Sequence, residues 1–303
     1  MAGEALGSGS GDFDRSQRQG SWGKSVFAMP RYVELITVAV RGFVQSCSSH
    51  DRWAELGDPR RTKEVCVNGE RPLSEELAER GFAIARRFVC RELIDELIGL
   101  CSQSNDREQM RRRGGSLYGI RNLLSAVPRL REVVASSPFI ELARSVLGEA
   151  ARPVKGVYFD KTPEANWPVP WHQDVTITVR EHRDVAGYEM RPVKEGLVHA
   201  LPPIEVSEQM LALRIHLDDA GADHGALRVI PGSHRGGRHD ATQTAQWLTA
   251  TPEVVCMVQR GDVMLMQPLL LHCSSACHRP EHRRVIHIEY AAIELPGGLE
   301  WAG

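Results

Sequence analysis

Trp171-His172-Gln173-Asp174 sets an imidazole and a carboxylate one residue apart, followed by the alternating apolar residues Val175, Ile177 and Val179. That alternation predicts a strand over Asp174–Arg180, on which His172, Asp174, Thr176 and Thr178 share a face. An imidazole and a carboxylate converging in this way supply two of the three ligands of a two-histidine, one-carboxylate metal site. The third must come from elsewhere in the chain. His272 closes the apolar run Leu269-Leu270-Leu271, which would bury it, and Ser274 follows two residues on. His278 and His282 compete for the role from a polar, loop-like stretch, and His287 competes from mid-strand, where it also fits a hydrogen-bonded core histidine. His234 lies in a Pro-Gly-Ser turn, where a turn hydrogen bond is expected.

Arg283 and Arg284 open a strand running to Ala291. A buried arginine beside a metal site has a definite use, because its fork binds a carboxylate through two charge-assisted bonds. A dicarboxylate could then chelate a metal at one end and meet the arginine at the other. By alternation Arg284 shares a face with Ile286, Ile288 and Tyr290, whereas Arg283 shares one with Val285, His287 and Glu289.

The HQD triplet, the stretches Leu217-Asp218-Asp219 to Gly225-Ala226-Leu227 and Pro231-Gly232-Ser233-His234, and the terminal His272-x-Ser274…Arg283 resemble the phytanoyl-CoA dioxygenase (PhyH) family over roughly residues 73–293. The resemblance implies an iron(II)- and 2-oxoglutarate-dependent dioxygenase on a double-stranded β-helix, with His172, Asp174 and His272 as iron ligands. It implies that 2-oxoglutarate and O2 are consumed and succinate and CO2 released as a small organic molecule is hydroxylated or otherwise oxidised. Family spacing from His272 favours Arg283 over Arg284 for the distal carboxylate of 2-oxoglutarate, with Ser274 bonding the same group. Arg214 stands where the family often has an aromatic residue, and would add a second cation for the co-substrate or for an acidic substrate. Lys161 and Tyr118 are further co-substrate candidates, and Trp167, Trp171, Thr176 and Arg121 are substrate-side candidates. Two rival readings stand beside the oxygenase: a jelly-roll module that binds metal and 2-oxoglutarate without turnover, and a zinc hydrolase using the same three ligands. The hydrolase leaves Ser274 and Arg283 without a role.

These residues need a scaffold. The expected fold is α+β with a mainly β core, a cupin-like jelly roll with N-terminal flanking helices. Strands are expected at Lys155–Lys161, Leu211–Asp218, Val254–Val258, Asp262–Gln267 and Arg284–Ala291. Helices are expected from a Ser74 cap to Gly81, over Arg91–Cys101, and from Ser137-Pro138 to Gly148. The connection from Glu181 to Gln209, with Arg183, Arg191, Lys194 and His199, reads as an irregular lid.

With 303 residues, 42% hydrophobic and 25% charged, the chain has material for one large domain. Residues 1–70 are expected to be a poorly structured N-terminal extension and 71–303 the β-helix domain with its flanking helices. Lys+Arg 37 against Asp+Glu 39 offers no electrostatic invitation to nucleic acid. No apolar run is long enough to span a bilayer. Seven cysteines without a C-x-x-C pair indicate neither a disulfide framework nor a zinc ribbon. The reading is a reduced, cytoplasmic protein acting on a small molecule; its oligomeric state is not legible.

Overall fold

The computed structural model describes residues 66–67, 71–194, 196–278 and 281–303. The extension expected over residues 1–70 therefore lies outside the described residues, apart from Cys66–Val67. In chain order the elements are β1 (Cys66–Val67), β2 (Arg71–Pro72), α1 (Leu73–Arg80), β3 (Phe82–Ala85), α2 (Arg91–Ser102), β4 (Met110–Arg113) and β5 (Ser116–Ile120). Three short helices follow, α3 (Leu123–Ala126), α4 (Pro128–Val134) and α5 (Phe139–Leu147). Then come β6 (Arg152–Lys161), β7 (Val169–His172), β8 (Ile177–Val179), β9 (Glu189–Lys194), β10 (Leu197–Leu201), α6 (Ile204–Glu208) and β11 (Met210–His216). The remainder is β12 (Leu227–Val229), α7 (Ala241–Ala250), β13 (Val254–Cys256), β14 (Val263–Met266), β15 (His272–Ser274) and β16 (Arg283–Ala291).

Two antiparallel sheets make the scaffold. The larger has the order β3-β14-β11-β16-β6-β5-β4, and the smaller β13-β12-β15-β7. Alternation along the central strands of the larger sheet sorts its two faces. Leu211, Leu213 and Ile215 of β11, with Ile286, Ile288 and Tyr290 of β16, pack in one cluster with Leu77, Leu97, Leu130 and Phe139 from the helices. Each of these side chains is essentially fully buried, and each such burial stabilises by roughly 1.5–3 kcal/mol. The opposite face meets the smaller sheet: Ala212, Met264, Met266, Phe82 and Ile84 pack with Leu227, Val229 and Cys256. Along β11 and β16 that inner face also carries Arg214, His216, Arg283, His287 and Glu289, all buried. The arrangement is the jelly roll that the sequence implied, with a polar interior.

Four expectations change. Strands are not confined to the region after residue 150, because β3 and the β4–β5 hairpin form the two edges of the larger sheet. Phe82–Ala85 is buried at every position and β4 is Met-Arg-Arg-Arg, so neither displays an alternating pattern. The stretch from Glu181 to Gln209 is not irregular: β9 and β10 pair with β8 in a separate three-stranded sheet. Ser74 lies inside α1, whose N-cap is Pro72, although Gly81 does end that helix at φ +83°. Likewise Pro138 is the N-cap of α5, and the Ser137 hydroxyl donates to Glu141.

Candidate metal centre

β7 and β15 are neighbours, and their register sets His172 directly opposite His272. The two rings approach to 4.1 Å between centroids. Beyond His172 the chain leaves the sheet, so the strand expected over Asp174–Arg180 is instead the short β8, preceded by an irregular stretch at residues 173–176. Asp174 reaches the histidines through a pinned turn, not through strand alternation. Its N–H donates to the Pro268 carbonyl at 2.9 Å. The Gln173 amide donates to the carbonyls of Gly237 (2.8 Å) and Leu269 (2.6 Å) and accepts from the His239 N–H at 2.8 Å.

The ligand-type atoms of His172, Asp174 and His272 lie within 4.8 Å of one another. Nδ1 of His172 bonds the Pro170 carbonyl at 2.8 Å, and Nδ1 of His272 bonds the Leu270 carbonyl at 2.9 Å. A carbonyl only accepts, so both Nδ1 atoms carry the proton and both Nε2 atoms present lone pairs. Those Nε2 atoms stand 3.8 and 3.7 Å from the two Asp174 oxygens. Burial brings the His272 pKa down to about 4, against the pull of Asp174, so this ring is neutral near pH 7. Burial alone would raise the Asp174 carboxyl, but His272, His287, Lys155 and His172 together hold it well below the usual range. Two imidazoles held by their Nδ1 atoms and one carboxylate, with ligand-type atoms converging, fit a divalent transition metal.

Next to this triad lies a cation cradle. Lys161, fully buried, donates to Ser274 Oγ at 3.1 Å and to the Ser275 carbonyl. Burial and the neighbouring Arg283 lower the Lys161 pKa to about 8. Arg283 is buried, donates to the Gly225 carbonyl at 2.8 Å, and leaves its Nε without a partner. Arg284 turns the other way and makes a two-pronged pair with Asp218 at 2.6 and 2.8 Å. Of the doublet, only Arg283 therefore faces the interior with a guanidinium still able to take a carboxylate.

Sequence reasoning named Arg214 and His287 but missed the buried pair that completes the wall beyond the triad. Glu289 and Lys155 form a buried pair at 2.6 Å. Burial pushes the Lys155 pKa down, but Glu289 and Asp174 outweigh it and the ammonium persists. Arg214 donates to His287 Nδ1 at 3.1 Å, and His287 Nε2 lies 3.6 Å from Glu289 and 3.9 Å from Asp174. Asp174, His287 and Glu289 thus make a second convergent group. His216, on the Arg214 face, has neither ring nitrogen partnered. The signal was present in β16, where polar residues at 283, 287 and 289 alternate with Ile286, Ile288 and Tyr290.

The other candidates divide. Pairing of β4 with β5 slips between Arg111 and Arg112, skipping Tyr118. A bulge of this kind re-aims the extra side chain, and the Tyr118 ring meets Trp167 edge-on at 5.4 Å. Lys161 approaches the same indole at 5.9 Å, so Tyr118 and Trp167 adjoin the cradle. Arg121 lies over Phe159, which pairs across strands with Val285. Trp171 packs beneath Arg228 on the opposite face of the smaller sheet from His272, and Thr176 sits in the irregular stretch; neither joins the triad. His282 bonds Asp160 and His234 bonds the Ala78 carbonyl, while His278 belongs to neither convergent group. In the region read as a basic lid, Arg183 pairs with Glu181 and Arg191 with Glu189.

Residues 78–285 match the phytanoyl-CoA dioxygenase (PhyH) family. A protein of Stutzerimonas stutzeri described as a probable alpha-ketoglutarate-dependent hypophosphite dioxygenase is 26% identical over 215 residues. That match spans 65% of this chain and 66% of the relative, just under two thirds of its length. Among solved structures, AviO1 from Streptomyces viridochromogenes Tue57 is 25% identical with a TM-score of 0.51, covering 74% of this chain and 94% of AviO1. EctD from S. alaskensis, solved with 2-oxoglutarate and 5-hydroxyectoine, shares the fold with a TM-score of 0.57 at 18% identity, over 73% of this chain and 75% of EctD. No helix among the described residues is long and apolar enough to cross a membrane. Motif, fold and relatives agree: the chain belongs to the phytanoyl-CoA dioxygenase family of iron(II)- and 2-oxoglutarate-dependent dioxygenases.

Proposed function

We propose that this protein uses iron(II), 2-oxoglutarate and O2 to hydroxylate, or otherwise oxidise, a small molecule. The observation that carries the reading is a two-histidine, one-carboxylate triad beside a buried arginine and lysine that, among the described residues, lack a carboxylate partner. His172, Asp174 and His272 would hold the iron, their orientation fixed by backbone carbonyls and by the Gln173 turn. Bound iron and 2-oxoglutarate supply oxidative decarboxylation to succinate and CO2, coupled to oxidation of the second substrate.

Arg283 binds the distal carboxylate of 2-oxoglutarate, helped by Ser274 and Lys161, and Arg214 places a further cation on the next strand. Tyr118 and Trp167 close the side of the cradle and keep water from it, and Arg121 stands over Phe159 toward the substrate side. A carboxylate at position 174 occupies the coordination position that related halogenases free for a halide, which favours hydroxylation. The relatives' names point to small substrates, hypophosphite in one case. Among the described residues Cys101, Cys256, Cys273 and Cys277 form no disulfide, which supports a reducing, cytoplasmic setting.

Anaerobic titration of iron(II) and then 2-oxoglutarate tests the reading, following the metal-to-ligand charge-transfer band of a chelated keto acid. The band should appear in the wild type and vanish in both His172→Ala and Arg283→Ala. Its absence from folded, iron-loaded wild type would sink the dioxygenase reading and bring forward a zinc hydrolase or a binding module.

A further inference from the structure

Among the described residues, three buried cations face the interior without an acidic partner. Lys161 bonds only Ser274 and the Ser275 carbonyl, Arg283 the Gly225 carbonyl, and Arg214 the His287 ring. The fourth, Lys155, is matched by Glu289. Iron(II), Asp174 and a dianionic 2-oxoglutarate together carry one net negative charge. Set against three cations, the loaded site keeps two positive charges, or one if Lys161 gives up its proton. Buried charge without a counter-ion is strongly unfavourable, so such a site is incomplete until another anion enters.

The position of Arg214 identifies where that anion goes. Arg283 and Lys161 are committed to the Gly225, Ser274 and Ser275 cradle, whereas Arg214 lies one strand over, cross-strand from His287. It is only 6% exposed, and its Nε has no partner. Two residues along the same face, His216 is 2% exposed with both ring nitrogens unpartnered. Burial and Arg283 draw the Arg214 pKa down to about 10 while Asp174 acts the other way, so the guanidinium lies within electrostatic reach of both the cradle and the triad. A guanidinium with its Nε–H free, beside the N–H spent on His287, can donate to the oxygens of an oxyanion.

Resting on the dioxygenase reading above, we infer that the molecule oxidised here is a small anion, a carboxylate or a phosphorus oxyanion, and that Arg214 recognises it. The test uses the full chain loaded with iron(II) and 2-oxoglutarate without O2. Acetate, phosphite and neutral acetamide are added at constant ionic strength, with the charge-transfer band and calorimetry as readouts. At least one anion should perturb the band and bind with a saturating isotherm, and acetamide should do neither. A response to acetate alone identifies a carboxylate substrate, and to phosphite alone a phosphorus oxyanion. Arg214→Met should keep the band and weaken anion binding by about tenfold or more, and Arg214→Lys should recover part of it; circular dichroism checks that both fold. The inference is overturned if neither anion perturbs the wild-type band, or if the anions displace 2-oxoglutarate. It is equally overturned if a folded Arg214→Met loses the band itself, because Arg214 would then serve the co-substrate. A missing band in wild type removes the dioxygenase reading, and this inference with it.

Discussion

The Arg214 guanidinium donates to His287 Nδ1 at 3.1 Å, and that bond separates the two buried histidines nearest Asp174. A guanidinium only donates, so His287 accepts at Nδ1 and carries its proton on Nε2, facing Asp174 and Glu289. His272 is arranged the opposite way, with its lone pair toward Asp174. His272 is thereby suited to ligate a metal, and His287 to hydrogen-bond beside one.

Metal-dependent thermal shifts should follow that division. Iron(II), or cobalt(II) in its place, should raise the melting temperature of the wild type and of His287→Ala. Substituting His172, Asp174 or His272 by Ala should abolish the rise, a loss of about 2.7 kcal/mol of stabilisation at a hundredfold excess over Kd. Retention of the shift in His272→Ala but not in His287→Ala would reverse the assignment.

The arginine doublet should split by phenotype. Arg283→Ala is expected to lose 2-oxoglutarate binding with little change in urea midpoint. Arg284→Ala breaks the two-pronged pair with Asp218 and should cost about 1.5–3 kcal/mol of stability while leaving co-substrate binding in place. Calorimetry on both variants beside urea melts reads the two effects separately.

Lys155 and Glu289 are coupled by burial. Lys155→Met leaves a buried carboxylate unmatched and should destabilise by about 3–5 kcal/mol. The double variant Lys155→Met/Glu289→Leu should regain most of that loss in urea unfolding. An additive double variant would argue that the two charges are solvated independently.

Stability should fall on acidification through His216. Burial, reinforced by Arg214 and Arg283, holds this ring well below its ordinary value of 6.5. The unfolded chain then binds a proton that the native chain does not, so the contribution is complete above pH 6.5 and declines below it. The slope is at most about 1.4 kcal/mol per pH unit for one group. Urea midpoints of wild type and His216→Gln at about pH 7.5 and about pH 5.5 should differ most at the higher pH; parallel pH dependences would remove His216 as the source.

Gly225 offers a test of the cradle's dimensions. It adopts φ +64°, and a Cβ there would lie 2.6 Å from the Ser275 carbonyl and 3.4 Å from Lys161 Nζ. Gly225→Ala should destabilise by roughly 1–3 kcal/mol and lower 2-oxoglutarate affinity. Unchanged binding in a calorimetric titration would separate this turn from the cradle.

Much of this architecture was legible because alternation is a strong signal in β11 and β16, whose apolar faces meet helices. The triad's members were legible as residue types, but the reason they converge was not. A strand pattern predicted that Asp174 shares a face with His172, whereas the chain breaks after His172 and is tied back by contacts to residues 237, 239, 268 and 269. Long-range bonds of that sort leave no local periodicity. Lys155 and Glu289 were invisible for a related reason: each looks like an ordinary charged strand residue until the register sets them opposite one another. The strands β3 and β4 escaped because one is apolar throughout and the other nearly all arginine.

Gln173 lies between the two motif residues and points away from them, spending its amide on three backbone groups of two distant loops. A mutational survey scored by metal content would therefore rank position 173 with its neighbours, although its side chain is spent on backbone groups and not on a metal. Such a survey cannot separate the groups that grip an ion from the one that keeps their spacing. For redesign, the motif is a unit of three, and a transplant of His172 and Asp174 into another jelly roll would need acceptors waiting for the residue between them.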